Sequence, residues 1–256
     1  MATAAPQRHT ALQFLGVGDA SQQGLGHASA VVELGTKRLL IDCGPGVLDA
    51  FMQRYEGCMP DALFITHCHL DHIADFEKLF IKCWFKQPRQ PCQVFVPAAI
   101  IPLLHERVGT YPGALAEGGC NFWDAFQLIP VSAEFIFSST TFKVTPARHH
   151  GVGSAYSLYL PGQFFYSGDT RPIPEILEHS ISKDTVIFHD CSVIGNPSHS
   201  GIDDILREYS ATVLERMWVY HYHSALDREQ FTKVHLRVVA PQQRFELERP
   251  THSGNE

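Results

Sequence analysis

The stretch Thr66-His67-Cys68-His69-Leu70-Asp71-His72 places three histidines and one aspartate within six residues. It follows Ala62-Leu63-Phe64-Ile65, an apolar run of the length expected for a short buried strand. In extended chain, residues two apart project to the same side, so His67 and His69 can converge on one point. Asp71 and His72 lie where the chain turns towards a helix and can face a second point nearby. Imidazole nitrogen combined with carboxylate oxygen is a donor set that suits borderline metals, zinc above all. A solvated loop with clustered histidines is the bland alternative. Four donors at this spacing behind a buried strand argue against it.

Composition narrows the class of protein. At 256 residues the chain can bury a substantial core, and 45% hydrophobic with 18% charged residues is ordinary for a globular protein. A net charge of −7 argues against a general nucleic-acid surface. Seven cysteines are scattered with no Cys-x-x-Cys pair, which fits neither a disulfide framework nor a zinc ribbon. Reduced thiols in a cytoplasmic protein are the simpler expectation. Met1 to Thr10 lacks a signal-peptide profile, and no apolar run approaches membrane-span length.

Outward from the histidine run, the pattern alternates strands and helices. Leu12 to Asp19 reads as a strand running into a glycine-rich loop at Gly16-Val17-Gly18, which lacks the lysine and spacing of a P-loop. Ser29 to Leu34 and Lys37 to Cys43 form a hairpin about Gly35-Thr36, and Val47 to Tyr55 has helical spacing. Ile73, Phe76, Leu79, Phe80 and Cys83 mark one helix face. Gln93 to Val96 is a strand and Pro97 to Arg107 a helix irregular at Pro102. Gly109 to Gly119 is expected to be a mobile loop. Strands are expected at 126–131, 134–137 and 141–145. A second hairpin follows at 156–160 and 163–167. A helix is predicted over 172–179, a strand over 186–189, a helix over 202–215 and a strand over 217–220. Hairpin, helix, strand and histidine thus occur twice, at Ser29 to His67 and at Tyr156 to His221. The expectation is a single domain over 1–256, with a loose arm at 1–10 and a loose tail at 250–256.

Strand ends deliver further donors: His149-His150, Asp169 and His221. In this order, with Gly16-Val17-Gly18-Asp19, Leu40-Ile41-Asp42-Cys43-Gly44 and Ser167-Gly168-Asp169-Thr170, the chain resembles the metallo-β-lactamase superfamily from Leu12 to His221. The resemblance implies an α/β fold, a four-layer αββα sandwich with a two-metal site at one edge of the paired sheets. It implies that His67, His69 and His149 hold one divalent ion and Asp71, His72 and His221 the other, with Asp169 bridging. His150 competes with His149, and the Tyr156 seven residues on favours His149, whereas the His150-Gly151 pairing favours His150. His223 competes with His221, which directly ends its strand. Zinc suits the donors; manganese or iron with the same ligands is the alternative.

Within the superfamily the chain is most similar to the tRNase Z-like, phosphodiesterase branch, through His189-Asp190-Cys191-Ser192, His199-Ser200-Gly201 and His221 in that order. By this resemblance His199 protonates the leaving oxygen. Aspartate stands at 190 where the family has glutamate, and glycine at 201 where it has threonine. The long tRNA-gripping arm is missing, since only a compact hairpin lies between His149 and Asp169, so tRNA is disfavoured as a substrate.

The expected function is a dinuclear metal-dependent hydrolase of phosphodiesters, acting through a metal-bridging hydroxide that Asp71 orients, having taken a proton from the bridging water. The alternatives are hydrolysis of an ester, thioester, lactone or sulfate ester at the same ions, or a non-catalytic ligand sensor. The expected partners are a small-molecule or phosphodiester substrate, with a homodimer left open and no membrane. Trp84, Phe85, Trp123 and Phe126 are weighed as an aromatic entrance against ordinary core packing.

Overall fold

The structure is a computed structural model that describes residues 9–85, 91–110 and 120–247. Most of the loop expected at Gly109 to Gly119, the arm before His9 and the tail at 250–256 lie outside the described residues. The first half supplies β1 (Thr10–Gly16), β2 (Ser29–Leu34), β3 (Lys37–Ile41), α1 (Val47–Arg54), β4 (Ala62–Phe64), α2 (Leu70–Ile73), α3 (Phe76–Trp84), β5 (Cys92–Pro97), α4 (Ile101–Val108) and β6 (Phe126–Val131). The second half supplies β7 (Glu134–Phe137), β8 (Thr140–Pro146), β9 (Tyr156–Leu160), β10 (Phe164–Tyr166), α5 (Pro174–His179), β11 (Val186–Asp190), α6 (Ile202–Glu208), α7 (Ala211–Leu214), β12 (Met217–Tyr220), α8 (Asp227–Lys233), β13 (Arg237–Val238) and β14 (Arg244–Leu247).

Two seven-stranded mixed sheets result, in the orders β14-β1-β2-β3-β4-β5-β6 and β13-β12-β11-β10-β9-β8-β7. From β14 to β6 the pairings run antiparallel three times and then parallel three times. From β7 to β13 they run in the same sequence. The internal repeat expected from sequence is therefore present, with one refinement. The counterpart of β4 is β11, so His67 corresponds in topology to the end of β11 rather than to His221.

The sheets pack face to face, with helices outside, as an αββα sandwich. Phe14 on β1 meets Phe188 on β11 at 5.2 Å and Tyr220 on β12 at 5.7 Å between ring centroids. At the other end Phe95 on β5 stacks on Phe135 of β7 at 4.2 Å. Burying each such ring contributes about 1.5–3 kcal/mol, and the pairs fix how the two sheets register. All seven residues of β1 are buried, the polar Thr10 and Gln13 included. No helix among the described residues is long and apolar enough to cross a membrane.

Several boundaries depart from the expectations, each for a tertiary reason. The first strand opens at Thr10, which is paired on both sides, with Leu34 of β2 and with Leu247 of β14, a strand absent from the sequence reading. The helix over 202–215 is broken at Tyr209-Ser210. The Tyr209 hydroxyl is drawn inward to His189 Nε2 at 2.7 Å and to the Ile173 amide at 2.7 Å. The helical face from Ile73 to Cys83 is likewise two helices, α2 and α3, whose junction at Asp75 turns back to cap α1 through Leu48 N at 3.0 Å. Phe126 is buried against Phe76 and Phe122. Trp123 donates its indole N–H to His105. For these two, core packing is the observed arrangement, while Phe85 remains exposed.

Candidate metal centre

The site lies where β4, β8, β10, β11 and β12 end. Gly44 governs how the first cluster reaches it. A Cβ there would stand 1.6 Å from the Asp71 carbonyl oxygen, so only glycine lets the Leu40–Gly44 turn run beneath α2. The contact is closed by Cys43 N donating to His72 O at 2.7 Å. With α2 held there, Asp71 and His72 point back towards His67 and His69.

The other donors arrive from the second sheet. Gly168, at φ +62°, turns the chain out of β10 and presents Asp169. His221 itself takes φ 69° at the end of β12, a left-handed conformation that costs a residue with a Cβ of order 1 kcal/mol or more. Its amide donates to Val17 O at 2.7 Å, so the glycine turn after β1 serves as a clamp on this histidine. His149 is 1% exposed and points inward. His150, at φ 51°, is exposed with its Nδ1 3.2 Å from Ser198 Oγ. His223 stands outside as well, 3.1 Å from Ser21 Oγ.

All seven sequence-predicted donors come together in two sets, His67, His69, His149 with Asp169, and Asp71, His72, His221 with Asp169. Asp169 Oδ2 lies 3.5 Å from His67 Nε2 and 3.3 Å from His72 Nε2, while its Oδ1 lies 3.4 Å from His221 Nε2. Two ligands on a tetrahedral ion with bonds near 2.0–2.1 Å stand about 3.3 Å apart, so these spacings fit ions shared across one carboxylate.

Outer partners aim the rings. His72 Nδ1 lies 2.8 Å from Asp42 Oδ2, and His149 Nδ1 lies 2.9 Å from Ser198 O. A carbonyl or carboxylate only accepts, so Nδ1 carries the proton in both and Nε2 offers its lone pair inward. His67 Nδ1 meets Thr66 Oγ1 at 3.1 Å, and that hydroxyl donates to Asp42 at 2.7 Å. The Nε2 atoms of His67, His72 and His221 and Oδ1 of Asp169 are buried with no hydrogen-bond partner among the described residues. Four convergent orphaned atoms would each cost of order 1–3 kcal/mol if left unpaired; cations satisfy them together. The donors fit a metal pair.

At the first set the charge balance agrees, whereas at His72 and His221 burial, which lowers the pKa, is outweighed by the surrounding carboxylates and the net direction is up. Burial pushes the His67 and His149 pKa values down and takes His69 to about 4, which keeps these rings neutral and able to ligate. For Asp71 burial raises the pKa, but the neighbouring His221 and His72 rings outweigh it and hold the carboxyl well below its usual range. Asp71 is also the more open of the two inward carboxylates, at 11% against 1% for Asp169.

A third grouping joins Asp190 and His199 to Asp169 and His221. Here the geometry differs. His199 Nδ1 lies 2.8 Å from Asp190 Oδ2, shorter than the spacing of two ligands on one ion and typical of a charge-assisted hydrogen bond. The His199 ring stacks on His221 at 5.1 Å and 16°, and meets His149 at 4.7 Å, so it stands over both sets. Burial alone would lower its pKa, but the Asp190 bond with the nearby Asp169 carboxylate outweighs this and the net direction is up. Asp190 also accepts from Thr170 N at 2.8 Å and lies 3.3 Å from His221 Nδ1. Asp42, Asp190 and the Ser198 carbonyl are the parts that sequence reasoning did not assign. The first two sat in quoted motifs, and only the hydrogen bonds give them work.

Comparison with known proteins agrees with this fold. Solved structures of the same fold include a diphosphatase of the PhnP family, with TM-score 0.72, 18% identity, and coverage of 94% of this chain and 98% of that one. The metallo-β-lactamase fold protein YhfI from Bacillus subtilis gives TM-score 0.69 and 14% identity, covering 93% of this chain and 99% of that one. Human tRNase Z, short form, gives TM-score 0.61 and 15% identity, covering 93% and 99%. By sequence the chain is 29% identical over 244 residues to the anti-Pycsar protein Apyc1 of Paenibacillus harenae, spanning 92% of this chain and 99% of that protein. The family model for anti-Pycsar protein Apyc1 matches residues 10–245. With the metallo-β-lactamase fold on view and a match over nearly the whole described length, the chain belongs to the anti-Pycsar protein Apyc1 family.

Proposed function

We propose that this protein is a two-metal phosphodiesterase whose substrate is a cyclic nucleotide. The observation that carries the reaction type is the His199–Asp190 pair over the shared Asp169. An acid held there is useful when the leaving oxygen is a poor one, as the sugar alcohol of a phosphodiester is. A thioester has little need of it. Family membership supports a cyclic nucleotide over other phosphodiesters. The net charge of −7 and the compact β9–β10 hairpin, in place of an extended arm, support a small substrate over RNA.

One ion would be held by His67, His69, His149 and Asp169, the other by Asp71, His72, His221 and Asp169. Zinc is the ion the donor types favour. When bound, such a pair supplies Lewis acidity and lowers the pKa of water. Asp71 orients the attacking water and takes its proton. The water oxygen bonds to phosphorus, the bond to the sugar oxygen breaks, and His199 gives that oxygen a proton. The product is a nucleoside monophosphate. Asp190 holds the His199 ring in place through Nδ1, which leaves Nε2 to donate.

The test is turnover of a panel of cyclic nucleotides and bis(p-nitrophenyl) phosphate by metal-loaded protein, beside lactone and thioester substrates, with Asp71→Ala as control. Metal-dependent phosphodiester cleavage lost in Asp71→Ala is the expected result. Turnover confined to lactone or thioester would overturn the proposal.

A further inference from the structure

Between Asp190 and His199 the chain leaves the sheet and returns, and its turn is built on one exposed side chain. Asn196 Oδ1 accepts from two successive amides, Ser198 N at 2.8 Å and His199 N at 3.0 Å. The Asn196 backbone closes the same turn, with its N–H donating to His199 O at 3.1 Å and its carbonyl accepting from His199 N at 3.3 Å. Pro197 lies between, with φ fixed by its ring. Beyond the turn, Ser200 anchors the chain on Thr170 O, through its amide at 3.1 Å and its hydroxyl at 2.8 Å.

Two groups that act in the site depend on this turn. The Ser198 carbonyl receives His149 Nδ1 at 2.9 Å and so sets the tautomer and the angle of that ring. His199 follows directly and reaches Asp190 at 2.8 Å. A peptide rotation at Ser198 would move the carbonyl off His149 and swing His199 off Asp190 together. Asn196 is exposed, belongs to neither donor set, and among the described residues hydrogen-bonds within this turn. Nothing else described holds both the Ser198 and the His199 amides from the solvent side.

We infer that Asn196 is a positioning residue for the reaction, acting through the His199 ring. Its side chain is the brace that keeps the proton donor in one orientation. The kinetic part of this inference rests on the phosphodiesterase reading. The structural part does not.

The experiment compares full-length, metal-loaded wild type with Asn196→Ala, Asn196→Asp and His199→Ala. Asn196→Asp keeps an oxygen that can accept from both amides. On a cyclic nucleotide, whose alkoxide needs protonation, kcat of Asn196→Ala is expected to fall about tenfold or more. On bis(p-nitrophenyl) phosphate, whose phenolate leaves unaided, it should fall less than about twofold, the same selectivity as His199→Ala. Asn196→Asp should restore most of the difference. Hydrogen exchange should show the Ser198 and His199 amides losing protection in Asn196→Ala and keeping it in Asn196→Asp. Equal losses on both substrates, no recovery with aspartate, or unchanged amide protection in Asn196→Ala would each overturn the inference. If wild type cleaves neither phosphodiester, the functional reading fails, and the amide protection still decides whether Asn196 holds the turn.

Discussion

His199 Nδ1 sits 2.8 Å from Asp190 Oδ2, and the same carboxyl reaches towards His221 at 3.3 Å through its other oxygen. One buried aspartate thus stands between His199, the proposed proton donor, and His221 of the second donor set. The Thr170 amide is a further partner. If His199 is the acid, this anchor bears on the pH dependence.

The Asp190 carboxylate is what carries the His199 pKa above its ordinary value against the opposing effect of burial. Removing its charge with Asp190→Asn lets burial dominate, so the ring loses its proton at lower pH. The basic limb of the kcat profile on an alcohol leaving group should therefore move to lower pH, with the acidic limb much less affected. His199→Ala should lose that limb altogether, together with about 100-fold in kcat on such substrates. A profile whose basic limb stays put in Asp190→Asn would contradict the pairing.

His149 and His150 are neighbours in sequence but differ in exposure and direction. Metal analysis by mass spectrometry should show His149→Ala retaining about one ion fewer per chain than wild type. His150→Ala should retain the wild-type content. The reverse result would exchange their places in the site.

Gly44 allows the closest backbone approach at the site. Gly44→Ala forces a methyl against the Asp71 carbonyl and displaces α2. The expected outcome is loss of ions from the set containing Asp71 and His72 and a stability loss of about 2 kcal/mol or more, read by urea unfolding. Gly35→Ala, in an open turn with nothing near its missing Cβ, serves as the comparison because its left-handed φ brings only the smaller backbone cost.

Away from the site, Glu33 on β2 accepts from Arg244 on β14 at 2.8 Å and from the Tyr55 hydroxyl at 2.7 Å. Burial raises the Glu33 pKa, but the Arg244 and Tyr55 bonds outweigh it and the net direction is down. A carboxyl depressed in the folded state stabilises above its unfolded pKa, and that stability is lost as pH falls through the folded value. Glu33→Gln should cost about 1–2 kcal/mol at pH 7. The gap to wild type should close as pH falls below about 4. Denaturation at pH 7 and pH 3 measures it, and an equal gap at both would refute the charge argument.

Local sequence was sufficient for what local geometry controls. The apolar run before Thr66, the two hairpins and the spacing within His67–His72 fixed short strands, their order and the first cluster of donors, because strand periodicity and turn chemistry act over a few residues. The repeated order also foretold two similar halves. Pairing across 230 residues is another matter. Nothing in Arg244–Leu247 announces that it will lie beside β1, since an edge strand is defined by its partner. The break at Tyr209 likewise depends on His189, twenty residues away. The seven inward donors were readable as residue types at strand ends. The sequence already favoured His149 over His150, and the tertiary structure points His150 outward; only the tertiary structure turned Asp42 and Asp190 into supports and brought His199 over the pair. Those choices rest on ring direction and hydrogen-bond partners, which exist once two sheets have packed and their loops meet at one edge.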